Sequence, residues 1–352
     1  EVQAIVANAR GYEQDSHTEN TPTAGAVNQL LGLPRRVLRR VPGIGRLRAK
    51  LNYTMQQRRT RASSDYLYWE PNYLLLPVAN SALATVHDIS HLRHPEFHPQ
   101  QRLRELERLP QSLARAQRII TVSEFTRTEV AAAFDIAADR ISVVSPSVSS
   151  RFQPAAASAL DSLRDEYALP DNYILYAGTI EPRKNVPALL EAFSALPEEL
   201  QAAYPLVLVG RRGWHPQEYE STLARLNNPN IRELGYVRFE DLPALYAGAA
   251  IFTYPSLYEG FGMPILEAMA SGTPVITSSM ASMPEVASGA AVLVDPRSKS
   301  ELVAAMQELL ENAGRREQLR AQGLAVAASH SWAISYQNLF NALASVSPGG
   351  SS

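Results

Sequence analysis

Apolar and polar positions follow a regular rhythm through the second half of the chain, where short apolar runs are separated by longer amphipathic stretches. The runs predict strands at residues 173–178, 206–210, 251–255, 275–278 and 291–295. After the first strand, apolar residues recur at helical spacing, at Val186, Leu189, Leu190, Phe193 and Leu196. Another helix is predicted over residues 302–310, with Ser300 as its N-cap. Strands that alternate with helices are typical of a parallel sheet covered on both faces.

The first half repeats this rhythm less regularly. It predicts strands at residues 2–7, 66–69, 84–87, 119–123 and 141–145. We therefore predict an α/β protein with two doubly wound, Rossmann-like domains, over residues 1–150 and 151–329. Residues 149–169, which contain Pro154 and an alanine-rich run, are predicted to form the linker and the first helix of the second domain.

Length and composition support two domains and exclude several classes of protein. At roughly 100–200 residues per domain, a chain of 352 residues suits two. Its 45% hydrophobic and 19% charged content is that of a globular protein, and no apolar run approaches the roughly 18 residues of a spanning helix. The chain has no cysteine, which excludes disulfides, thiolate metal sites and cysteine nucleophiles. We expect no leader sequence and a cytoplasmic protein.

Charge is distributed unevenly between the two halves. Residues 1–150 hold 19 basic and 14 acidic side chains, whereas the remaining residues hold 14 and 21. Residues 20–64 contain no acidic side chain but ten basic ones, from Arg35 to Arg61. Because apolar residues recur among them at near-helical intervals, we predict peripheral contact of this segment with an anionic membrane. The alternative is that this segment is a solvated insertion whose apolar side packs on the domain. Binding of nucleic acid by the segment is disfavoured because interleaved aromatic residues are scarce.

Candidate chemistry lies where the predicted strands end, since ligands of open α/β sheets bind at the carboxyl ends of the strands. After the third strand of the second half, Glu259 and Glu267 flank Gly260 and Gly262, and Pro264 suits the first position of a helix. The free amides of a helix start favour a pyrophosphate, and a glutamate one turn further can accept hydrogen bonds from ribose hydroxyls. For one glutamate alone, a carboxylate capping its own helix is an equal alternative.

Arg183 and Lys184 follow the first strand of the same half, just before the helix predicted to begin near Asn185. A guanidinium offers a two-pronged donor and an ammonium a mobile charge, and together they suit a diphosphate. An Arg-Lys pair taken alone is usually a solvated pair on the protein surface with no ligand. Because this pair shares a sheet edge with the glutamate loop, it indicates an anion-binding site.

Several motifs, in their order and spacing, give the chain a family resemblance. Those of the second half are YAGTIEPRKN, LVLVGRRGW, LGYV, YPSLYEGFGMPILEAMASGTPVI and AVLVDP, which together span residues 173–296. They resemble the nucleotide-sugar domain of the retaining glycosyltransferases of family 4, a family that includes bacterial mannosyltransferases. The first half is similar more weakly, through VHDISHLRHPE, RIITVSEFTRTEV and ISVVSPS.

The resemblance implies the GT-B fold, in which two Rossmann-like domains face each other across a cleft. The segment HSWAISYQNLFNAL resembles the family's C-terminal helix, so residues 330–346 are expected to cross back to the first domain. Members of the family carry a glycine-rich loop after their first strand. We expect that this strand and loop precede Glu1.

The resemblance also implies a role for each candidate residue. Arg183 and Lys184 would hold the donor diphosphate, Glu259 would bind the transferred sugar, and His87 would face that sugar from the first domain. These four residues form the predicted catalytic set, although His87 paired with Asp88 also suits a purely structural role. Glu267 would accept the ribose hydroxyls. The other nucleotide-sugar contacts, many of them through backbone groups, are assigned to Gly178, Thr179, Gly210, Arg211, Tyr236, Val237, Gly260, Phe261 and Gly262.

No metal site is predicted. His91, His94 and His98 are irregularly spaced and lack a neighbouring pair of carboxylates. The chain also contains no Asp-x-Asp. We therefore predict sugar transfer without a metal or other cofactor, with cationic side chains and a helix end neutralising the diphosphate.

The predicted function is retaining transfer of a sugar from a nucleotide-sugar to a saccharide or polyprenyl-linked saccharide acceptor in surface polysaccharide biosynthesis. A GDP-sugar carrying mannose or a deoxymannose is the first choice of donor, because the motifs are most similar to those of such transferases. A nucleotide-sugar epimerase of the same fold and a non-catalytic sugar-nucleotide-binding subunit are the alternatives. The basic first half disfavours the epimerase, and the intact set of Arg183, Lys184, Glu259 and Glu267 disfavours the non-catalytic subunit.

Overall fold

The computed structural model describes residues 67–76 and 81–346. The strand predicted at residues 2–7 and the basic segment from Arg35 to Arg61 lie outside the described residues. Within them, no helix is both long enough and apolar enough to cross a membrane.

The first domain is built on a parallel four-stranded sheet with the order β1-β2-β3-β4. Its strands are β1 (Tyr68–Glu70), β2 (Ala82–Val86), β3 (Arg118–Thr121) and β4 (Ile141–Val143). Its helices are α1 (Ser90–Arg93), α2 (Gln100–Leu106), α3 (Leu109–Arg115) and α4 (Glu124–Phe134), with 3-10 turns at Pro95–Phe97 and Ala138–Arg140. Every residue of β2 is buried, because helices cover both faces of the strand.

The second domain is built on a parallel six-stranded sheet with the order β10-β9-β8-β5-β6-β7. Its strands are β5 (Ile174–Ala177), β6 (Leu206–Val209), β7 (Ile231–Gly235), β8 (Ile251–Tyr254), β9 (Val275–Ser278) and β10 (Ala291–Val294). The strand order reverses between β5 and β8, which are hydrogen-bonded neighbours. A crevice forms at such a reversal, outside the carboxyl ends of the strands, and is where doubly wound sheets bind ligands.

Ten helices of the described chain follow the first domain, and most of them cover the second sheet. They are α5 (Ala157–Tyr167), α6 (Val186–Phe193), α7 (Glu198–Ala203), α8 (Gln217–Leu226), α9 (Leu242–Ala247), α10 (Met263–Ala270), α11 (Met283–Ala287), α12 (Lys299–Glu311), α13 (Ala313–Ser329) and α14 (Trp332–Ala344). A further 3-10 turn, Pro182–Lys184, precedes α6.

The C-terminal helix α14 packs on the first domain. Ala342 and the following Val346 lie in one apolar cluster with Leu83 of β2 and Ile120 of β3. Ser335 Oγ also donates a hydrogen bond of 2.6 Å to the carbonyl oxygen of Ser145. α14 therefore contacts the first domain through both apolar packing and a hydrogen bond.

Three local predictions differ from the structure. The strand β7 was missed, because the run Ile231–Gly235 carries charged Arg232 and Glu233 on an edge strand that is only partly buried. Ser298 rather than Ser300 caps α12, since its side chain accepts the amide hydrogen of Glu301. The predicted strand ends also extend past the hydrogen-bonded residues by one or two positions at several strands, for example at Gly178 and Gly210.

The second of these glycines yields a stability prediction. Gly210 has a φ of +143°, and a Cβ there would overlap the carbonyl group of Gly178. We expect Gly210→Ala to lower the free energy of unfolding by about 2–4 kcal/mol, because it combines backbone strain with a steric clash. Urea unfolding followed by circular dichroism measures the change.

The matched control is Gly314→Ala in α13, where the nearest atom to an added Cβ is 3.5 Å away. This control should raise the free energy of unfolding by about 0.5–1 kcal/mol, since alanine favours a helix over glycine. Equal effects of the two substitutions would contradict the packing described for Gly210.

Candidate active site

The candidate site lies at the carboxyl ends of β5 and β8, the two strands beside the reversal of strand order. Arg183 and Lys184 sit in the 3-10 turn that follows β5. Glu259 sits in the loop between β8 and α10, and Tyr254 is the last residue of β8. Because β5 and β8 are neighbours, these side chains meet although about 75 residues of sequence separate them.

Glu259 is the centre of the cluster. Its Oε2 lies 2.6 Å from Arg183 Nη1, and its Oε1 accepts hydrogen bonds from Lys184 Nζ and, at 2.8 Å, from the Tyr254 hydroxyl. Lys184 Nζ also donates to the Tyr254 hydroxyl oxygen. On the other side of Arg183, its Nε lies 2.5 Å from Glu181 Oε1. The result is a buried chain of two cations and two carboxylates.

The electrostatics follow from this pairing. Burial acts to raise the pKa of Glu259, but the charges of Lys184 and Arg183 outweigh burial and lower that pKa to about 2. Burial also acts to lower the pKa of Arg183, and the two neighbouring carboxylates reverse this and raise it above its ordinary value. Glu259 and Arg183 therefore stay ionised at physiological pH. Burial dominates at Glu181, whose pKa is raised.

Glu267 lies apart from that cluster, on α10. The helix begins at Met263, so Pro264 holds its second position and not the predicted first one, and Gly262 precedes it with a φ of +107°. Glu267 Oε2 accepts a hydrogen bond of 3.0 Å from the Tyr246 hydroxyl. Burial raises the pKa of Glu267.

The loop that carries Gly260 and Gly262, directly after Glu259, contacts the first domain. The carbonyl oxygen of Gly260 accepts hydrogen bonds from Ser123 Oγ at 2.6 Å and from Thr126 Oγ1 at 3.0 Å. A Cβ on Gly260 would overlap the carbonyl oxygen of His87, so glycine is required for this approach. Phe261 is buried, and its carbonyl oxygen accepts a hydrogen bond of 2.8 Å from Ser282 Oγ.

A second contact between the domains lies next to this loop. The Glu285 carboxylate accepts hydrogen bonds from the backbone amides of Glu124 at 2.9 Å and Phe125 at 3.0 Å. These are the first two residues of α4, so a side chain of the second domain satisfies the free amides of a helix in the first.

The ring of His87 contacts Pro71 and Tyr73 of the first domain and not the cluster around Glu259. Its Nε2 bonds the carbonyl oxygen of Pro71 at 2.9 Å, and its edge meets the Tyr73 ring at a centroid distance of 5.6 Å. The residue is exposed. Its backbone therefore reaches the site through Gly260, whereas its side chain makes no hydrogen bond or ion pair to Arg183, Lys184 or Glu259 in the described part of the chain.

The residues predicted to hold the nucleotide line the ends of β5, β6 and β7. The amide of Gly178 donates to the Val209 carbonyl at 2.9 Å, and that of Gly210 to the Gly235 carbonyl at 2.8 Å. The guanidinium of Arg211 lies 4.4 Å from the centroid of the Tyr236 ring, which is 65% exposed. Thr179 is also exposed, whereas Val237 is buried and can offer only backbone groups.

Comparison with known proteins identifies the family. The profile described as Glycosyl transferases group 1 matches residues 162–325, and that described as Glycosyltransferase Family 4 matches residues 9–151. O-antigen chain mannosyltransferase B of Escherichia coli is 40% identical over 323 residues, which cover 91% of this chain and 84% of that protein. This chain belongs to the family 4 glycosyltransferases.

Solved structures confirm the GT-B fold of this glycosyltransferase. HepE from Anabaena, crystallised with UDP and glucose, is similar with a TM-score of 0.68 and 19% identity, over 82% of this chain and 80% of that one. WaaG, a glycosyltransferase involved in lipopolysaccharide biosynthesis, has a TM-score of 0.67 and 17% identity, over 85% of this chain and 82% of that one.

Two members of the glycosyltransferase site were not found from the sequence. Glu181 is part of the Glu-Pro-Arg-Lys motif, but its carboxylate pairs with Arg183 only because the 3-10 turn folds it back. In the sequence, nothing distinguishes Tyr254 from the other residues of a buried strand. Across residues 67–76 and 81–346, no group of three or more His, Asp or Glu side chains could hold a metal ion.

The buried cluster yields a prediction that depends on pH. We expect Glu259→Gln to lower the free energy of unfolding of this glycosyltransferase by about 3–5 kcal/mol at pH 7, because Lys184 loses its buried counter-charge. Folding lowers the pKa of Glu259 from 4.5 to about 2, so its stabilising contribution is complete above pH 4.5 and is lost as the pH falls towards 2. The difference between wild type and variant should therefore narrow below pH 4.5.

Urea unfolding at pH 7, 5, 4 and 3 measures this difference. Glu308→Gln on α12 is the control, since the Glu308 side chain is 54% exposed and its loss should change stability little at any pH. A difference between wild type and Glu259→Gln that stays constant down to pH 3 would contradict an ionised, buried Glu259.

Proposed function

We propose that this glycosyltransferase moves mannose or a deoxymannose, with retention of configuration, from a GDP-sugar to a saccharide or polyprenyl-linked saccharide in surface polysaccharide biosynthesis. The observation that carries this proposal is the 40% identity to a protein named O-antigen chain mannosyltransferase B, over most of both chains. The UDP and glucose held by the more distant HepE indicate the main alternative class of donor.

The donor diphosphate would bind Arg183 and Lys184. Both cations lie at the end of β5 beside the loop that carries Gly260 and Gly262, and both form ion pairs with Glu259. An incoming diphosphate competes with that carboxylate for the same donors. Because negative charge grows on the departing phosphate as the sugar bond breaks, cations fixed at this point lower the barrier to transfer.

Glu259 would bind hydroxyls of the transferred sugar. The diphosphate weakens the hold of Arg183 and Lys184 on the Glu259 carboxylate, and at least one carboxylate oxygen becomes available as an acceptor. The carboxylate is still anchored by the Tyr254 hydroxyl. In this scheme Glu259 holds Arg183 and Lys184 in position and then binds the donor sugar, without a large movement of the loop.

No protein group is proposed as the base for the acceptor hydroxyl. The ring of His87 bonds Pro71 rather than the charged cluster. A leaving phosphate oxygen held by Arg183 and Lys184 is the proposed proton acceptor, which fits transfer on one face of the sugar with retention. No metal or other cofactor is part of the proposed reaction, and the basic segment from Arg35 to Arg61 is proposed to bring the enzyme to the membrane that carries a lipid-linked acceptor.

The donor is tested by direct comparison. GDP-mannose, GDP-deoxymannose, UDP-glucose and UDP-N-acetylglucosamine, each labelled in the sugar, are incubated with the enzyme and lipid-linked oligosaccharides. We expect label in the acceptor only from a GDP-sugar, with retained anomeric configuration by NMR. Transfer from a UDP-sugar alone would overturn the proposed donor, and isomerised sugar without transfer would favour an epimerase.

Glu267 offers a separate test of nucleotide binding. If its carboxylate accepts the ribose hydroxyls, Glu267→Ala should weaken GDP and GDP-mannose equally, by roughly 1.5–3 kcal/mol, since hydrogen bonds to a charged group are lost. Isothermal titration calorimetry measures both affinities.

Tyr246→Phe is the matched variant, because it removes only the hydroxyl that now donates to Glu267. It should leave nucleotide affinity within a few fold of wild type. If Glu267→Ala binds GDP as tightly as wild type does, Glu267 does not hold the ribose.

A further inference from the structure

A cavity of about 320 Å³ opens beside Arg183, on the side of this residue that faces the first domain. Its volume is at the lower end of the roughly 300–1,000 Å³ typical of ligand pockets. Its lining includes charged, imidazole and aromatic groups from both domains: Asp88, His91, His98, Arg102, Arg183 and Trp214. None of these residues except Arg183 has a part in the donor site described above.

The aromatic wall of the cavity is fixed in place across the domains. Trp214, from the loop after β6, donates a hydrogen bond of 2.5 Å from its indole nitrogen to the carbonyl oxygen of Phe97. The His98 ring stacks on the indole at a centroid distance of 6.4 Å and an angle of 28°. A large apolar surface is thus held beside the donor-binding arginine, in a geometry that exists only when both domains are present.

The polar groups are arranged around Asp88. Its Oδ1 accepts hydrogen bonds from the amide of Ser90 at 3.0 Å and from Ser90 Oγ at 2.8 Å. Since Ser90 gives its one hydroxyl proton to Asp88, His98 Nε2 supplies the proton in its 2.9 Å bond to Ser90 Oγ. No described residue donates to Asp88 Oδ2, so this oxygen is free to accept from a ligand.

A second group in the lining also lacks a partner. His91 Nδ1 is buried without a hydrogen-bond partner among the described residues. Burial lowers the pKa of His91 to about 4, and it lowers the pKa of His98 as well. Both imidazoles are therefore neutral at physiological pH. A buried polar atom without a partner is rare in folded proteins, and a ligand or an ordered water is the usual reason.

Charge in the cavity decides the class of ligand. Arg102 lies over the Tyr73 ring at 5.1 Å and forms no ion pair within the described chain. The negative charge of Asp88 offsets the positive charge of Arg102 in the same lining. The charge of Arg183 is offset by its ion pairs with Glu181 and Glu259. An anion would face the open oxygen of Asp88, whereas a neutral polyol can donate to Asp88 and accept from Arg102. An aromatic wall with a few such polar groups suits the apolar face and hydroxyl edge of a sugar ring.

We propose that this cavity binds the terminal sugar of the acceptor, a neutral hexopyranose whose ring packs on Trp214 and whose hydroxyl donates to Asp88. The inference rests on the proposed function for the identity of the acceptor, and it adds the residues that select that sugar. Because the cavity shares Arg183 with the donor site, the acceptor sugar lies next to the diphosphate. Asp88, Arg102 and Trp214 thereby determine acceptor specificity and leave donor binding to the second domain.

The test measures sugar binding without transfer. Methyl glycosides of mannose, glucose and galactose are titrated by saturation-transfer NMR against wild type, Asp88→Asn and Trp214→Leu, each with GDP present. We expect at least one glycoside to bind wild type and to bind both variants at least tenfold more weakly. GDP affinity by calorimetry should be the same in all three proteins, which also shows that the variants are folded.

Two exposed residues provide matched controls. Asp171→Asn removes a carboxylate whose side chain is 91% exposed, and Trp332→Leu removes an indole that is 47% exposed on α14. Both should bind the glycosides as wild type does. Inorganic phosphate at the same concentrations should not displace the glycoside.

Three results would overturn the inference: no binding of any methyl glycoside to wild type, unchanged binding in Asp88→Asn and Trp214→Leu, or displacement by phosphate. Failure of the proposed donor and failure of the cavity inference can be distinguished. If GDP-mannose is not a substrate but Asp88→Asn still loses glycoside affinity, the proposed donor fails and the cavity inference stands. Mannose transfer accompanied by unchanged glycoside affinity in both variants would remove the cavity inference alone.

Discussion

The pairing of the buried Glu259 carboxylate with Arg183 and Lys184 is the interaction on which the geometry of the candidate active site depends. A carboxylate in this position is tolerated only because both cations and the Tyr254 hydroxyl bind it. The pairing joins the turn after β5 to the loop after β8, and so holds two separate segments in one arrangement at the reversal of strand order. The cations are placed before any ligand arrives, which reduces the reorganisation needed for catalysis.

The same loop couples the chemistry to the contact between the domains. Immediately after Glu259, the carbonyl of Gly260 is bound by Ser123 and Thr126 of the first domain, and Glu285 caps the start of α4. A change in the position of one domain therefore acts on the loop that carries the carboxylate. Opening of the cleft and release of the donor are expected to be linked through these few hydrogen bonds, as in enzymes whose closure excludes water from a reactive donor.

The proposed acceptor cavity extends this logic to the second substrate. Arg183 belongs to both sites, and Trp214 completes the cavity only through its hydrogen bond to Phe97 in the first domain. A single closed arrangement therefore brings together the cations proposed to bind the diphosphate and the groups proposed to select the acceptor. In such a site, proximity of the two substrates is a consequence of domain contact and requires no additional element.

The sequence by itself determined the α/β class, the alternation of strands and helices, and the motifs around Arg183, Lys184 and Glu259, because strand and helix periodicities and motif spacing are local properties. It missed β7, where an edge position permits charged residues that disguise the strand. Only the tertiary structure decided that Glu181 pairs with Arg183 and that the His87 ring bonds Pro71. The same holds for the hydrogen bond from Trp214 to the carbonyl oxygen of Phe97. Such contacts depend on strand order, turn geometry and the apposition of two domains. The local pattern of apolar and polar residues does not determine these features, because they join segments that are distant in the chain.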